Sequence, residues 1–277
     1  MNNIDVIAYF VVLKSKKLGR CLCSVSIGII DSNFVHPPSV QLDKLRAMLK
    51  DLPESPGVLR LDCEIPEYPS FFPGGRGYKG QSFPQSPIMF VGHNFDTSCG
   101  FYRSVERGAE DVKMPTWAKM KKYFLAGLDE EECFFTNFFL GAMIPPEPCA
   151  GEKKAKNTGT FKCSAEYGRR CIVALKRQVE IARPRVVALL GSNVPPAFAE
   201  AFPDYALFVG DTLAETQSKQ PDSGHTLQLF ENWVQIVCLY HPASRGRIES
   251  HRAQGSLLRS AVEQARLVAL RERPATK

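Results

Sequence analysis

Four short stretches hold most of the residue types able to do chemistry: His93-Asn94-Phe95-Asp96, Thr136-Asn137, Gly191-Ser192-Asn193 and His241-Pro242-Ala243-Ser244. A histidine can present a hydrogen-bond donor to negative charge that develops on a leaving group. An asparagine offers both a donor and an acceptor to a polar edge, and an aspartate can take a proton from water. Each stretch alone is weak, because such residues more often satisfy local backbone groups than do chemistry. Their order and their position, each just past a short apolar run, give them weight.

Those runs are Ile88 to Val91, Cys133 to Leu140, Val186 to Leu190 and Val234 to Tyr240. Between and after them lie segments of helical character: Thr116 to Leu128, Ala165 to Ala182, a short one after Pro195, and a basic one from about Glu249 to Arg271. In the last, Leu257, Leu258, Ala261, Val262, Ala265 and Val268 form one apolar face. Strands alternating with helices predict an α/β fold, a mainly parallel sheet of four strands covered on both faces in three α/β/α layers. In such sheets ligands bind at the carboxyl ends of the strands, where the four polar stretches fall.

Upstream, Asp5 to Leu13 and Leu22 to Ile30 read as an N-terminal hairpin, and Leu42, Leu45, Leu49 and Leu52 have helical spacing. From Pro66 to Pro87 proline and glycine take over with no sustained period, as in a long loop. The expected organisation is therefore an extension over 1–87, packed on a core domain over 88–277. With 44% apolar and 23% charged residues, the chain is a globular protein and not a disordered or fibrous one. Its 35 Lys and Arg against 29 Asp and Glu leave +6, too mild to name a partner. The nine cysteines, an odd number in a large chain, argue against a secreted disulfide framework and for a reducing, cytoplasmic setting. No stretch reads as a signal peptide or a membrane helix, and no Walker loop or dinucleotide fingerprint is present.

The segments FVGHNFDT (90–97), FFTNFFLGAMIPP (134–146), ARPRVVALLGS (182–192) and LYHPASRG (239–246) resemble, in order, the strand-end motifs of the uracil-DNA glycosylase superfamily. The resemblance is to its thermophile-type and its single-strand-selective and mismatch branches, and it covers about 88–265. It implies a monofunctional DNA glycosylase that flips a non-standard pyrimidine from DNA and hydrolyses its N-glycosidic bond. In that reading Asn94 falls where the family positions the attacking water, Asn137 hydrogen-bonds the edge of the flipped base, and His241 stabilises charge on the departing base. Phe95 joins the base-binding set, with Phe101 or Tyr102 as the ring on which the base stacks. Because an amide cannot take a proton, Asp96 is the better candidate for a general base.

The chain also departs from the family. Where the uracil-specific enzymes continue the first motif with Pro and then Tyr or Gly, this chain has Phe95-Asp96; the resemblance implies that Asp in place of the Tyr removes its wall against substituents at carbon 5 and adds an acceptor. The expected substrate is thus either a bulky 5-modified cytosine of phage DNA, such as glucosylated hydroxymethylcytosine, in anti-phage defence, or uracil in repair. The thermophile-type branches carry a four-cysteine iron-sulfur cluster. Cys149 and Cys163 stand where its second pair would be, but the first pair is missing, so the expectation is no cofactor.

DNA is expected to meet Ser192 at the end of the third motif and Ser244, Arg245 and Arg247 at the last, with Arg245 as the wedge that replaces the flipped base. Lys153 and Lys154 form a phosphate-binding loop in the same reading. The expected partner is DNA containing a modified or damaged pyrimidine, bound by a monomer with no membrane association. The rival reading, from another class, is a catalytically inactive DNA-binding module of the same fold that recognises altered bases.

Overall fold

The computed structural model describes residues 44, 47–60, 87–95, 97–108, 110–111, 113–145, 161–244 and 248–272, all within one compact unit running from Pro37 to Lys277. The expected N-terminal hairpin and the Pro/Gly-rich loop lie outside the described residues. The strands are β1 (Val58–Arg60), β2 (Ile88–Asn94), β3 (Cys133–Phe139), β4 (Gly141–Met143), β5 (Val186–Leu190), β6 (His225–Leu229) and β7 (Asn232–Leu239). The helices are α1 (Ser98–Arg107), α2 (Pro115–Lys119), α3 (Ala165–Ala182), α4 (Val194–Ala201), α5 (Leu213–Ser218) and α6 (Ile248–Glu272). A π-helical turn, Met120–Phe124, prolongs α2.

The main sheet has the order β3-β2-β5-β7-β6. Four of its strands are parallel, and β6 pairs antiparallel with β7 at the edge. The expected four-stranded sheet thus gains a fifth strand, whose sequence HTLQL alternates polar and apolar residues as an edge strand can. The four central strands are continuous apolar runs because both their faces are covered. Met89, Val91, Val187 and Leu189 point to α3 and α4, whereas Ile88, Phe90, Ala188 and Leu190 point to α2, the π-turn and α6. This is the three-layer α/β/α arrangement. A smaller sheet pairs β1 with β4, and with α1 and one end of α3 it encloses a third apolar cluster.

Local chemistry sets the helix ends. Ser164 caps α3, its Oγ accepting from the Tyr167 N–H at 3.2 Å, and the helix stops at Arg183 in the left-handed region (φ 44°), before Pro184. Thr97 caps α1 in the same way, and Gly108 ends it at φ 70°. Inside the molecule, Thr136 of β3 donates to Gln178 Oε1 of α3 at 2.6 Å, and the Tyr167 hydroxyl donates to Leu140 O at 2.9 Å. These buried bonds lock α3 onto the carboxyl end of β3. From β2 the chain first adds β3 on one side and then β5 on the other. The order of strands therefore reverses at β2, the place where an open α/β sheet leaves a crevice.

Candidate active site

The carboxyl ends of β2, β3, β5 and β7 bring together His93, Asn94, Asn137, Gly191 and His241. Asn137 is buried on β3 directly across from Gly92, which has no side chain to fill the space above the strand. Asn94 ends β2. Its amide oxygen lies 3.0 Å from Nδ1 of His93. An amide oxygen can only accept, so the proton belongs to Nδ1 of His93 and the Nε2 lone pair is left as an acceptor.

His241 carries the opposite tautomer. The backbone N–H of Ala243 donates to its Nδ1 at 3.1 Å, so in the neutral ring the proton sits on Nε2, which becomes a donor. Its ring is open to solvent on one side, yet the protein around it is dense enough that desolvation pushes its pKa below the ordinary histidine value. The neighbouring His93 imidazole and the Lys119 ammonium push in the same direction. Burial also lowers the pKa of His93, with the bond to Asn94 a smaller opposing influence. Both rings are therefore mainly neutral at pH 7 and above.

The turn that bears His241 is held from behind. Gln254 Oε1 of α6 accepts from the Tyr240 N–H at 3.1 Å and from Gln217 Nε2 of α5 at 2.9 Å, and Gln217 also donates to Cys238 O at 3.0 Å. Lys119 of α2 donates to the carbonyl of Ser244 and lies 3.2 Å from Nε2 of the buried His251. The Ser244 N–H in turn donates to His241 O at 2.8 Å, closing the turn. Gly191, at φ 92°, passes under the histidine, and a Cβ there would lie 3.2 Å from the Cβ of His241.

The aromatic expectations divide. Phe95 (6% exposed) and Phe101 (1%) meet edge to face at 5.6 Å in the third apolar cluster, so neither offers an open ring face. Tyr102 is 51% exposed. The rings that flank the strand-end histidine are instead Phe139 and Phe161, stacked on each other at 4.6 Å, with His93 edge-on to Phe139 at 5.2 Å. Ser192 is exposed in the turn after β5, and Ser244 is half-buried with its carbonyl engaged by Lys119. Asp96, Arg245, Arg247, Lys153, Lys154 and Cys149 lie outside the described residues. Arg169 and Arg170 pair with Glu166, and Arg177 with Glu180, so these helix cations are partnered on their own helix.

Among the described residues no group of three or more His, Cys, Asp or Glu is placed to hold a metal ion, and no helix is long and apolar enough to cross a membrane. Cys163 stands half-buried just before α3, with its thiol pushed up by burial. Cys171 and Cys238 are buried thiols pushed up to about 12 by desolvation, protonated and inert at neutral pH. The thiol of Cys133, buried in β3, is likewise pushed up by burial.

Reading the residues alone missed His93, Lys119, Gln217 and Gln254. His93 stood in a stretch singled out for inspection, but the tautomer implied by its contact with Asn94 Oδ1 is set only by the fold. The other three carry no local signal, because they act on a turn far away in the chain.

All four described histidines, His93, His225, His241 and His251, have pKa values lowered first of all by burial. A lowered folded-state value means that the unfolded chain takes up protons first, near its pKa of about 6.5. The associated stability is complete above that value and is lost as pH falls through the folded-state values. The melting temperature is thus expected to hold above about pH 7 and to drop as pH falls from about 6.5 to 5. A series of thermal melts followed by circular dichroism checks this, and a flat profile over that range would contradict it.

The fold and the strand-end cluster of imidazoles and amides define a doubly covered α/β protein with its site at the switch point of the sheet. The family model of the uracil DNA glycosylase superfamily matches residues 80–266, more than half of the 277 residues, and the chain belongs to that superfamily. None of the curated proteins compared with the chain matches it.

Proposed function

We propose that the protein is a monofunctional DNA glycosylase that draws a non-standard pyrimidine out of DNA and hydrolyses its N-glycosidic bond, leaving an abasic site. The observation that carries this reading is the neutral His241 with its proton on Nε2, fixed by the Ala243 N–H. Cleavage leaves negative charge on the base, and a preorganised neutral donor stabilises it without reorganisation. Asn137, buried opposite Gly92, offers the donor and acceptor that an extruded base edge requires. The four strand-end stretches hold no lysine, and Lys119 beside them is engaged by Ser244 O and His251, which favours hydrolysis without a Schiff base.

By the resemblance, Phe95-Asp96 stands in place of Pro-Tyr, and the ring that crowds carbon 5 of the base in the uracil-specific enzymes is replaced by a carboxylate. This favours a bulky 5-modified cytosine of phage DNA, such as glucosylated hydroxymethylcytosine, as the substrate, with a role in anti-phage defence; uracil is the second substrate to test. Mass spectrometry of small molecules released from DNAs containing uracil, hydroxymethylcytosine and glucosylated hydroxymethylcytosine decides among them. Release of the glucosylated base with little free uracil is the expected result. Release of uracil alone refutes the modified-base reading. Release of nothing leaves a DNA-binding module that recognises altered bases.

Within this reading Gly191→Ala is expected to slow base release roughly tenfold, because an ångström of displacement at a reacting group costs about a hundredfold and the contact here asks His241 to give by only part of that. The added methyl meets His241 Cβ, and φ 92° is strained for alanine. Single-turnover rates, with binding measured in parallel, check it. An unchanged rate would show that His241 has room to shift.

A further inference from the structure

We propose that His93 is a catalytic residue, the general base that takes the proton of the attacking water at its Nε2, with Asn94 holding its ring. This deepens the glycosylase reading and rests on it. The imidazole stands at the carboxyl end of β2, beside His241 and at the point where the strand order reverses. Its Nδ1–H is spent on the amide oxygen of Asn94 at 3.0 Å, which fixes both the tautomer and the plane of the ring. Phe139 and Phe161 meet it edge-on at 5.2 and 6.3 Å and close its apolar side. Among the described residues Nε2 has no protein partner, and the side chain is only half-buried, so water can reach it.

The two histidines are complementary. His241 shows a donor where charge leaves, and His93 shows a lone pair where a proton must be accepted. The arrangement has the base–orienter form of an activated nucleophile, with water as the nucleophile. As the bond from C1′ to the base breaks, its electron pair leaves with the base, whose negative charge meets Nε2–H of His241. The water oxygen forms its bond to C1′, and its proton moves to Nε2 of His93. The imidazolium so formed is stabilised through Nδ1–H on Asn94 Oδ1 and returns its proton to solvent or to the released base. No oxidant or cofactor is needed.

Phe139 of β3 and Phe161 before α3 present no titratable group to His93. His241 faces it from the turn after β7, and Lys119 stands behind His241. Since burial holds the His93 pKa below its ordinary value, the ring is an available base at neutral pH. His241 keeps its Nε2 proton whether neutral or charged. The acid limb of the rate profile therefore reports the loss of the His93 lone pair.

The test is single-turnover base release from pH 5 to 9, by the full chain, on the three DNAs named above. Wild type is expected to show a rate that falls on the acid side. His93→Gln is expected to lose about a hundredfold or more and to lose the acid limb, while DNA affinity and the melting profile stay near wild type. His93→Gly is expected to regain rate when free imidazole is added, in proportion to its concentration, and Asp96→Asn to keep the acid limb. The proposal is overturned if His93→Gln slows release but retains the wild-type pH profile, if imidazole rescues nothing, or if Asp96→Asn removes the limb instead. If wild type releases no base from any of the three DNAs, the glycosylase reading falls and the base falls with it; release by wild type with unaltered His93 variants sinks the base alone.

Discussion

Replacing His241 with Ala is expected to lower the single-turnover rate of base release by two to three orders of magnitude, while DNA affinity changes only slightly. Removing one preorganised donor aimed at developing charge costs about 10²–10³ in rate, and three features of this chain make His241 such a donor. The Ala243 N–H forces the proton onto Nε2. Desolvation by the surrounding protein, His93 and Lys119 keep the ring neutral, although one side of it is open to solvent. Gln254, Gln217 and Lys119 hold the turn from α6, α5 and α2, so little reorganisation is left for the moment of reaction. His241→Asn, which retains an N–H donor of shorter reach, is expected to lose less. The measurement is base release under enzyme excess, with binding to the same DNA followed by anisotropy. Full activity in His241→Ala would remove the foundation of the proposed mechanism.

Gly255→Ala is expected to destabilise the protein by about 2–3 kcal/mol, the upper part of what overpacking costs. In an ordinary helix interior the same change is stabilising by about 1 kcal/mol, because glycine loses more backbone freedom on folding. Here the sign reverses. A Cβ at 255 would approach the carbonyl oxygen of Tyr123, in the π-turn, closer than 3.0 Å. The neighbour is backbone, which cannot swing aside, so α6 must lift from the π-turn and open the apolar layer formed by Phe124, Leu258, Ala261 and Val262. The helix also carries His251 and Gln254, so the turn bearing His241 loosens with it and base release falls as well. Thermal melts are expected to show a decrease of roughly 5–10 °C. An increase would mean that α6 can slide at no cost.

Much of the fold was legible in the residues because a doubly covered parallel sheet writes itself as continuous apolar runs, as at Val186–Leu190, and because amphipathic helices repeat visibly, as at Ala165–Ala182. The edge strand β6 escaped because HTLQL has the mixed pattern of a surface segment. The helix α1 escaped as well, since its opening residues Ser-Cys-Gly carry little helical signal. Asn94 and His241 were singled out because each follows an apolar run at a strand end, and Asn137 because it interrupts one, and the structure brings the three to one end of the sheet. Asp96 and the basic residues around Arg245 were named from the same pattern.

The sequence by itself thus determined the class of fold, the family it resembles and the polar residues at its strand ends, all of which depend on neighbours in the chain. Tertiary structure alone decided what those residues are chemically. A histidine has no tautomer in a sequence: the proton of His93 is assigned by the oxygen of Asn94, and that of His241 by the N–H of Ala243. The lowered pKa of His241 needs the strand order that seats β5 between β2 and β7, and Lys119 reaches Ser244 across 125 residues because α2 and α6 share one face of the sheet. Hydrogen bonds and desolvation act through space, over a few ångströms, and sequence separation says little about such distances.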